Sequence, residues 1–253
     1  MDFSNPYDTR RGPLLSSNVV ATSQPLAAQA GLAMLYQGGN AVDAALAAAI
    51  ALTVVEPTGN GLGSDAFAIV WDGAELHGLN ASGRSPAGLA SDEVAERGWG
   101  SVTVPGAVSG WVALSERFGT LPFEALFAPA IGYAENGFAV SPIIARLWQL
   151  GGEVLGAQPG FAESFLPGGR APRAGETFRN PAMARSLRLI AETKGAAFYT
   201  GALAEKIADD AAQHGSALTL DDLATHRVDW CGTLQQNYAG VALHEIPPNG
   251  QGI

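Results

Sequence analysis

The sequence predicts an α+β fold built of layers. Segments with strand character lie near both ends of the 253-residue chain, and helical patterns fill the region between them. Strands at both ends with helices between them are typical of α+β proteins, in which helices and sheets form separate layers. With 47% hydrophobic and 15% charged residues, the chain can bury a substantial core, which is enough for one large domain or two small ones.

Capping residues predict the first elements. The segment NVVAT has the composition of a short strand, and Ser23 follows it as a capping residue for a helix with Pro25 in its first turn and a Gly-Gly pair at its end. Asn40 caps a second predicted helix, in which the Asp43 carboxylate favours the positive helix end. Because the small apolar side chains of AALAAAIAL cover every face of this helix, we expect it to be buried.

A glycine-rich loop follows in the stretch VVEPTGNGLGSDAFAIVWDG. Its glycines nearly spell the G-x-G-x-x-G fingerprint of dinucleotide binding, but Ser64 stands where the third glycine belongs. The order of elements also differs, since the fingerprint joins a strand to a helix and this loop joins a helix to a strand. We therefore expect no nucleotide here, and we interpret Gly59 to Gly63 as letting the backbone pass close to the core.

The sequence predicts some of the remaining elements from strong local patterns and others from weak ones. AFAIVWDG and AELHGLN predict a β-hairpin with a turn at Asp72 and Gly73, and Pro105 predicts the start of a helix whose small residues permit tight packing. Helical patterns continue to residue 150, whereas residues 151–177 predict a loop with a short helix in GFAESFL. Two more helices, a DDLATH cap and a final strand in GVALHEIPP complete the predicted order.

Composition excludes several classes of partner. The chain has 14 Lys plus Arg against 24 Asp plus Glu, and its few basic residues form no stripe, so we expect no nucleic acid partner. The N-terminus shows no basic region followed by an apolar one, so we expect no export signal and a cytoplasmic location. The apolar stretch from Ala44 to Val55 is shorter than the about 20 residues of a membrane helix, so we expect no membrane partner.

Cysteine and histidine usage predicts no metal site and no other cofactor. Cys231 is the single cysteine, which excludes an internal disulfide, and a small buried residue is a commoner role for it than a nucleophile. None of the four histidines lies at metal-ligand spacing from another, and a half-buried structural role is the commoner one for His77. Glu56 has no visible partner and is interpreted as a cap or an ion-pair member.

Several phrases follow one another along the chain: GGNAVDAALAAAIALTVVEP, the glycine loop, VPGAVSGW, FGTLPFEALFAPAIGYAENGFAVS, FYTGALAEKIA, LTLDDLATH and PPNGQG. In this order the chain resembles the gamma-glutamyltransferase family over nearly its whole length. The resemblance implies an N-terminal-nucleophile hydrolase with a four-layer αββα sandwich, made as a precursor that cuts itself into a large and a small subunit. Residues 1–253 are then expected to be a single large-subunit domain, which a small subunit outside this chain completes.

The resemblance also implies where the nucleophile lies. In this family it is the N-terminal Thr of the small subunit, whose own α-amine acts as the base. No stretch of this chain matches the family's Thr-containing cleavage segment, so we expect no catalytic residue here. The expected partners are the small subunit from the same precursor, which carries the Thr, and a small-molecule amide substrate.

The segment NASGRSPAG takes the place of the family phrase R-E-x-A-P, whose Arg binds the α-carboxylate of glutamyl substrates. With Pro86 in register, the family's Arg position falls on Ser82, and Arg84 lies two residues later, roughly 6.6 Å along the same face of an extended segment. We expect Arg84 to bind a substrate carboxylate or carbonyl, unless it pairs with a surface acid. Asn80 and Ser82 are predicted as secondary substrate contacts or as turn residues, and Asp65 as a wall of the pocket or a loop cap.

Together these features predict a gamma-glutamyltransferase-like amide hydrolase or acyltransferase that acts on a small amide, either oxamate-like or an acylated amine. The first alternative is a glutathione gamma-glutamyltransferase or hydrolase, which the altered Arg phrase disfavours. The second is a non-catalytic half or binding module, whose partner has no working nucleophile. A chance match of an unrelated α/β protein would require many ordered phrases to coincide.

Overall fold

The structure is a computed structural model that describes Pro13, residues 15–90 and residues 93–250. Most of the N-terminal segment that we assessed for an export signal lies outside these residues. The chain divides into two compact units: unit 1 comprises Met1–Gly61 and Gly119–Ala191, and unit 2 comprises Leu62–Phe118 and Glu192–Ile253. The expectation of a single large-subunit domain stays a prediction.

The described residues form helices and short strands. In chain order these are α1 (Pro25–Tyr36), α2 (Ala41–Val55), β1 (Ala66–Trp71), β2 (Leu76–Ala81), α3 (Ala107–Phe118), α4 (Ala128–Asn136), β3 (Phe138–Ala139), α5 (Pro142–Leu155), α6 (Phe161–Phe165), β4 (Thr177–Phe178), α7 (Pro181–Glu192), α8 (Ala196–Tyr199), α9 (Ala202–Gln213), α10 (Leu220–Ala224), β5 (Asp229–Trp230), β6 (Leu234–Tyr238) and β7 (Val241–Glu245). Three 3-10 turns lie at Trp99–Ser101, Phe123–Phe127 and Pro167–Gly169.

The strands form three small antiparallel sheets, with the strand orders β1-β2-β5, β3-β4 and β6-β7. Every sheet formed by the described residues is antiparallel and none contains the parallel strands of βαβ units, so the predicted α+β class is confirmed.

In unit 1, the two predicted N-terminal helices are confirmed, but one cap and one strand are wrong. Residues 18–22 form no strand, and the cap of α1 is Gln24, whose side chain accepts a hydrogen bond from the backbone N–H of Leu26. Ser23 instead donates to the Glu56 carboxylate at 2.7 Å, which gives Glu56 the structural partner expected of it. The predicted cap of α2 is correct, since Asn40 and Asp43 form a reciprocal capping box.

The alanine-rich helix α2 is buried against α1 and α4, as its composition predicts. Its Asp43 is fully buried and accepts hydrogen bonds from the N–H of Asn40, from both the N–H and the hydroxyl of Thr120, and from the N–H of Leu121. The Asp43 carboxylate thus joins the start of α2 to the distant segment that begins at residue 119, because it accepts hydrogen bonds from both.

In unit 2, the predicted hairpin is confirmed with a slightly longer turn. β1 and β2 pair so that Trp71 lies opposite Leu76, and the Asp72 carboxylate accepts from the N–H groups of Ala74 and Glu75. The helix α3 begins at Ala107, two residues after the predicted start. A separate buried cluster joins α9, α10 and the segment before α3, through Val104, Ala204, Ala211, Leu218 and Leu223.

The close backbone approach predicted for the glycine loop is not found at Gly59 or at Gly63. The loop joins α2 to β1, as predicted, but an added Cβ would meet nothing closer than 3.9 Å at Gly59 and nothing within 4 Å at Gly63. Close backbone approach occurs elsewhere in unit 2: a Cβ at Gly78 would overlap Gly232, one at Gly83 would overlap Val104, and one at Gly106 would overlap Ala81.

Two weak signals were misjudged near residue 151 and at the C-terminal end. The helix α5 runs on to Leu155, into the predicted loop, and the short helix in GFAESFL is confirmed as α6. The final strand is confirmed as β7, but its hairpin partner β6 was not predicted. No helix among the described residues combines the length and the apolar character needed to cross a membrane.

Candidate functional site

The hairpin brings the predicted site residues to one place in unit 2. The pairing of β1 with β2 sets Ala66 opposite Ala81, so Asp65 before β1 and Ser82 after β2 lie at the same end of the hairpin. An oxygen of the Asp65 carboxylate accepts a long hydrogen bond, 3.4 Å, from the N–H of Gly83. This end of the hairpin is therefore the candidate site. Asp65 and Ser82 meet there because β1 pairs with β2, although they are distant in the sequence.

Asn80 and Ser82 make local and distant contacts at this end. The Asn80 side-chain oxygen accepts from the Ser82 N–H at 2.9 Å, which is the turn role considered for it. The Asn80 amide and the Ser82 hydroxyl both donate to the side-chain oxygen of Asn249, at 2.8 and 3.1 Å. Asn249 was not predicted as a site residue, because it lies more than 160 residues away in the sequence and no motif links it to β2.

Close backbone packing holds the loop that carries Arg84. Gly83 lies against the backbone of Val104, and the Val104 N–H donates to the Arg84 carbonyl at 2.9 Å. The N–H groups of Gly106 and Ala107 donate to the Ser64 carbonyl at 3.2 and 2.8 Å. Only glycine fits at the contact positions, so the backbone under Arg84 is fixed on both sides.

The Arg84 side chain is exposed. Within residues 15–90 and 93–250, its guanidinium forms no hydrogen bond and no ion pair, although the chain has an excess of acidic groups. The alternative of a surface Arg paired with an acid therefore has no support from the described contacts. A guanidinium on a fixed backbone, with its five donors uncommitted, suits the binding of a carboxylate.

Three further polar side chains form a cluster that was not predicted. Ser109, in the first turn of α3, donates its hydroxyl hydrogen to the Gly106 carbonyl at 2.7 Å and accepts from Nε2 of His226 at 2.9 Å. The Tyr199 hydroxyl donates to the Pro105 carbonyl at 2.8 Å and accepts from the Ser109 N–H at 3.0 Å. The Tyr199 and His226 rings stack, with centroids 5.4 Å apart and 17° between their planes.

Burial and charge determine the protonation of this cluster. Burial lowers the pKa of His226, the positive charges of Arg84 and Arg227 lower it further, and Asp65 and Asp229 oppose them. Burial also raises the pKa of Tyr199 to about 12, so its hydroxyl stays a donor. His226 is thus neutral at neutral pH and is close enough to Arg84 and Asp65 to sense the charge of both.

We expect His226 to make the fold sensitive to mild acid. Its pKa lies below the unfolded value, so the unfolded chain binds more protons, and stability present above about pH 6.5 is lost as the pH falls. The free energy of unfolding, measured by denaturant titration between pH 7 and 5, should fall less steeply in His226→Gln than in the wild type. The matched control is His214→Gln, on the exposed end of α9; equal pH profiles for His226→Gln and the wild type would contradict this assignment.

The other candidate residues have structural or surface positions. His77 donates from Nε2 to the Asp72 carboxylate at 2.7 Å and accepts at Nδ1 from Arg117 at 3.0 Å, so both ring nitrogens are committed, in the structural role expected of this residue. A backbone N–H of Glu75, followed by the His77 ring, lowers the pKa of Asp72. Cys231 is exposed, which corrects the expectation of a small buried residue.

Comparison with known proteins shows which family this chain resembles. The family model for gamma-glutamyltranspeptidase matches residues 27–253. The oxamate amidohydrolase proenzyme of Klebsiella pneumoniae is 40% identical over 90% of this chain and 46% of its own length. The glutathione hydrolase-like YwrD proenzyme of Bacillus subtilis is 37% identical over 94% of this chain and 47% of its own length. The chain thus spans about half the length of these relatives.

Solved structures agree. The cephalosporin acylase from Bacillus halodurans superposes on 98% of this chain and 49% of its own, with a TM-score of 0.90 and 45% identity. The gamma-glutamyltranspeptidase of Helicobacter pylori superposes on 94% of this chain with a TM-score of 0.88 and 28% identity. The predicted N-terminal-nucleophile hydrolase fold is confirmed by these likenesses, and the chain belongs to the gamma-glutamyltranspeptidase family.

Proposed function

We propose that this chain is the large-subunit portion of a gamma-glutamyltransferase-like amide hydrolase or acyltransferase. The observation that carries the proposal is the match of 90–94% of this chain to just under half of relatives named proenzymes. A proenzyme of that length supplies a second polypeptide from the same precursor. On this proposal that polypeptide is the small subunit, and it carries the Thr nucleophile.

The proposed reaction proceeds through an acyl-enzyme. The Thr hydroxyl oxygen attacks the amide carbon while the α-amine of the same Thr takes the proton. The C–N bond then breaks, the amine leaves with that proton, and an ester joins the acyl group to the Thr. Water attacks the ester to release the acid and restore the hydroxyl, whereas an attacking amine gives acyl transfer. Backbone or side-chain donors stabilise the oxyanion in both steps.

This chain contributes binding groups in the proposal. The Arg84 guanidinium binds a carboxylate or carbonyl on the acyl side of the substrate, since it is exposed and is held on a fixed backbone. Asn80, Ser82 and Asn249 form a hydrogen-bonded polar group at the same hairpin end, where the Asp65 carboxylate accepts from the Gly83 N–H, and we propose that these residues line the substrate pocket.

Exposed apolar side chains support a partner on unit 2. Alternate residues of β1 are exposed, including Phe67 at 44% and Trp71 at 61%. The β6-β7 hairpin adds Leu234, Tyr238, Val241 and Leu243, all of which are more than half exposed. Large apolar patches of this kind mark interaction surfaces, and we propose that the small subunit packs on these strands to complete the layered sandwich.

For the substrate, we propose a small amide of the oxamate or acylated-amine type. The relatives named oxamate amidohydrolase and acylase ACY 1 are 40% and 35% identical to this chain, and the altered Arg phrase disfavours a glutamyl group. Glutathione hydrolysis is the alternative, because a glutathione hydrolase of Arabidopsis thaliana is 31% identical. Assaying oxamate, an acylated amine and glutathione on the two-subunit protein distinguishes them. A protein inactive on all three supports the non-catalytic half instead.

Processing is the first testable consequence. Intact-mass spectrometry of the denatured, purified full-length protein should show two polypeptides, and N-terminal sequencing should find threonine at the start of one of them. Replacing that threonine by alanine should leave a single uncut polypeptide without amidase activity. A fully active single polypeptide would contradict the proposal.

We also propose a cytoplasmic location. A single, exposed cysteine gives the chain no internal disulfide and suits a reducing compartment, in which a surface thiol stays reduced. Cell fractionation with activity assays of each fraction tests this location.

A further inference from the structure

A group of arginines in unit 1 takes no part in the proposed reaction. Arg146 on α5, together with Arg170 and Arg173 in the loop between α6 and β4, lines a surface cavity of about 430 Å³, and Gln149 lies one turn further along α5. Below, this cavity is called the arginine cavity. Although the chain as a whole has 24 acidic and 14 basic residues, residues 146–188 contain six arginines and three glutamates. Positive charge is therefore concentrated in this part of an acidic chain.

One wall of the arginine cavity is held by a bidentate ion pair. The two terminal nitrogens of Arg170 donate to the two carboxylate oxygens of Glu176, each at 2.9 Å, and one of them also donates to the Ala171 carbonyl at 3.0 Å. The backbone N–H of Arg173 donates to the same carboxylate at 2.8 Å. These hydrogen bonds, that of Arg170 first, lower the pKa of Glu176 to about 2, so the pair stays charged at neutral pH.

The same loop is fastened to the residues that precede α5. The Val140 N–H donates to the Glu176 carbonyl at 3.0 Å, and the Gly175 N–H donates to the Val140 carbonyl at 2.8 Å. Pro172 at the middle of the loop is buried. The loop and the helix therefore keep their spacing without a ligand, and a preorganised cavity loses little conformational entropy on binding.

The charge inside the arginine cavity is not balanced. Glu176 offsets one of the three guanidinium groups that line it. Within the described part of the chain, the side chains of Arg146 and Arg173 form no hydrogen bond and no ion pair. Neighbouring like charges repel one another, and an oxyanion between them relieves that repulsion. Guanidinium groups bind carboxylate and phosphate oxygens through paired N–H donors.

We propose that the arginine cavity binds a small anion that carries two or more oxyanion groups, with Arg146 and Arg173 as the principal ligands and Arg170 as the fixed third cation. The volume admits a diphosphate or a small polycarboxylate, and both offer the same chemistry to the arginines. This site is independent of the reaction proposed for unit 2, so either proposal can fail without the other.

Isothermal titration calorimetry tests the site on the purified full-length protein, with inorganic pyrophosphate and citrate as separate probes. We expect saturable binding of at least one probe, weakened at least tenfold in the double variant Arg146→Ala/Arg173→Ala. The control is the double variant Arg97→Ala/Arg185→Ala, which removes the same charge from exposed positions outside the cavity and should bind like the wild type.

The outcomes separate the possibilities. Binding of pyrophosphate alone identifies a phosphorylated ligand, and binding of citrate alone identifies a polycarboxylate. No saturable binding by the wild type, or equal weakening in the two double variants, would overturn the proposal, since the first shows no site and the second shows only the effect of net charge. Without anion, the melting temperature should not fall in either double variant, because the replaced side chains are exposed and those in the cavity repel one another. The single variant Arg146→Glu, which reverses one charge, should weaken binding more than Arg146→Ala.

Discussion

Replacing Arg84 with alanine should lower kcat/KM for oxamate by about 10- to 150-fold, because a hydrogen bond to a charged group contributes about 1.5–3 kcal/mol. The guanidinium is exposed and forms no side-chain hydrogen bond within the described residues, so its removal should leave the melting temperature unchanged. Steady-state kinetics of the two-subunit protein measure the effect. A neutral amide without the carboxylate should lose much less, because its contact with Arg84 is weaker.

Two variants control this experiment. Arg97→Ala removes the same charge from an exposed residue that pairs with Glu96 in the same unit, and it should leave kcat/KM unchanged. Arg84→Lys keeps the charge but loses the planar fork of donors, and it should fall between the wild type and the alanine variant. If Arg84→Ala hydrolyses oxamate at the wild-type rate, Arg84 does not contact the substrate.

The backbone contacts of Arg84 explain why truncating its side chain should lower activity without lowering stability. Its backbone is held by the Val104 N–H and by the glycine contact at position 83, and neither involves the side chain. Rigid backbone support with an uncommitted side chain is what a binding group needs, because less entropy is lost when the ligand binds. Replacing Gly83 itself would instead disturb the whole loop.

Elements set by local chemistry were predictable from the sequence. Asn40 with Asp43, and the turn at Asp72, depend on side chains bonding backbone groups two or three residues away, and the structure confirms both. Ser23 was a wrong cap for a related reason: Gln24 is an uncommon capping residue, and the Glu56 carboxylate that attracts Ser23 is 33 residues distant. A local sequence pattern cannot show that a residue distant in the sequence will bind the side chain of a predicted cap.

The candidate site was predictable only in part. The position of Arg84 followed from the resemblance of one phrase, but Asn249 and the Ser109–His226 pair join it through contacts across more than 100 residues. In the glycine loop, a dense run of glycines predicted close backbone approach, but the structure shows no such approach at Gly59 or Gly63. The structure places that approach at Gly83 and Gly106, where the sequence shows isolated glycines.

Replacing Asp43 with alanine should destabilise the protein by at least about 3 kcal/mol, because four donors lose one fully buried, charged acceptor at once. The donors are the N–H of Asn40, the N–H and hydroxyl of Thr120, and the N–H of Leu121. For a chain of this size the melting temperature should fall by about 6–12 °C. The control Glu205→Ala removes an exposed acid from the first turn of α9 and should shift the melting temperature by about 4 °C or less.

Asp43→Asn distinguishes the loss of acceptors from the loss of volume. Asparagine has nearly the shape of aspartate, but it replaces one acceptor oxygen with an NH₂ group that would face donors from Thr120 or Leu121. All four donors lie within 3.3 Å of Oδ2, so an amide oxygen at that position still accepts from them, and this variant should melt between the wild type and the alanine variant. A melting temperature as low as that of the alanine variant would contradict this expectation, because it would show that one oxygen at the Oδ2 position does not hold the donors of α2 and of the segment at residue 120.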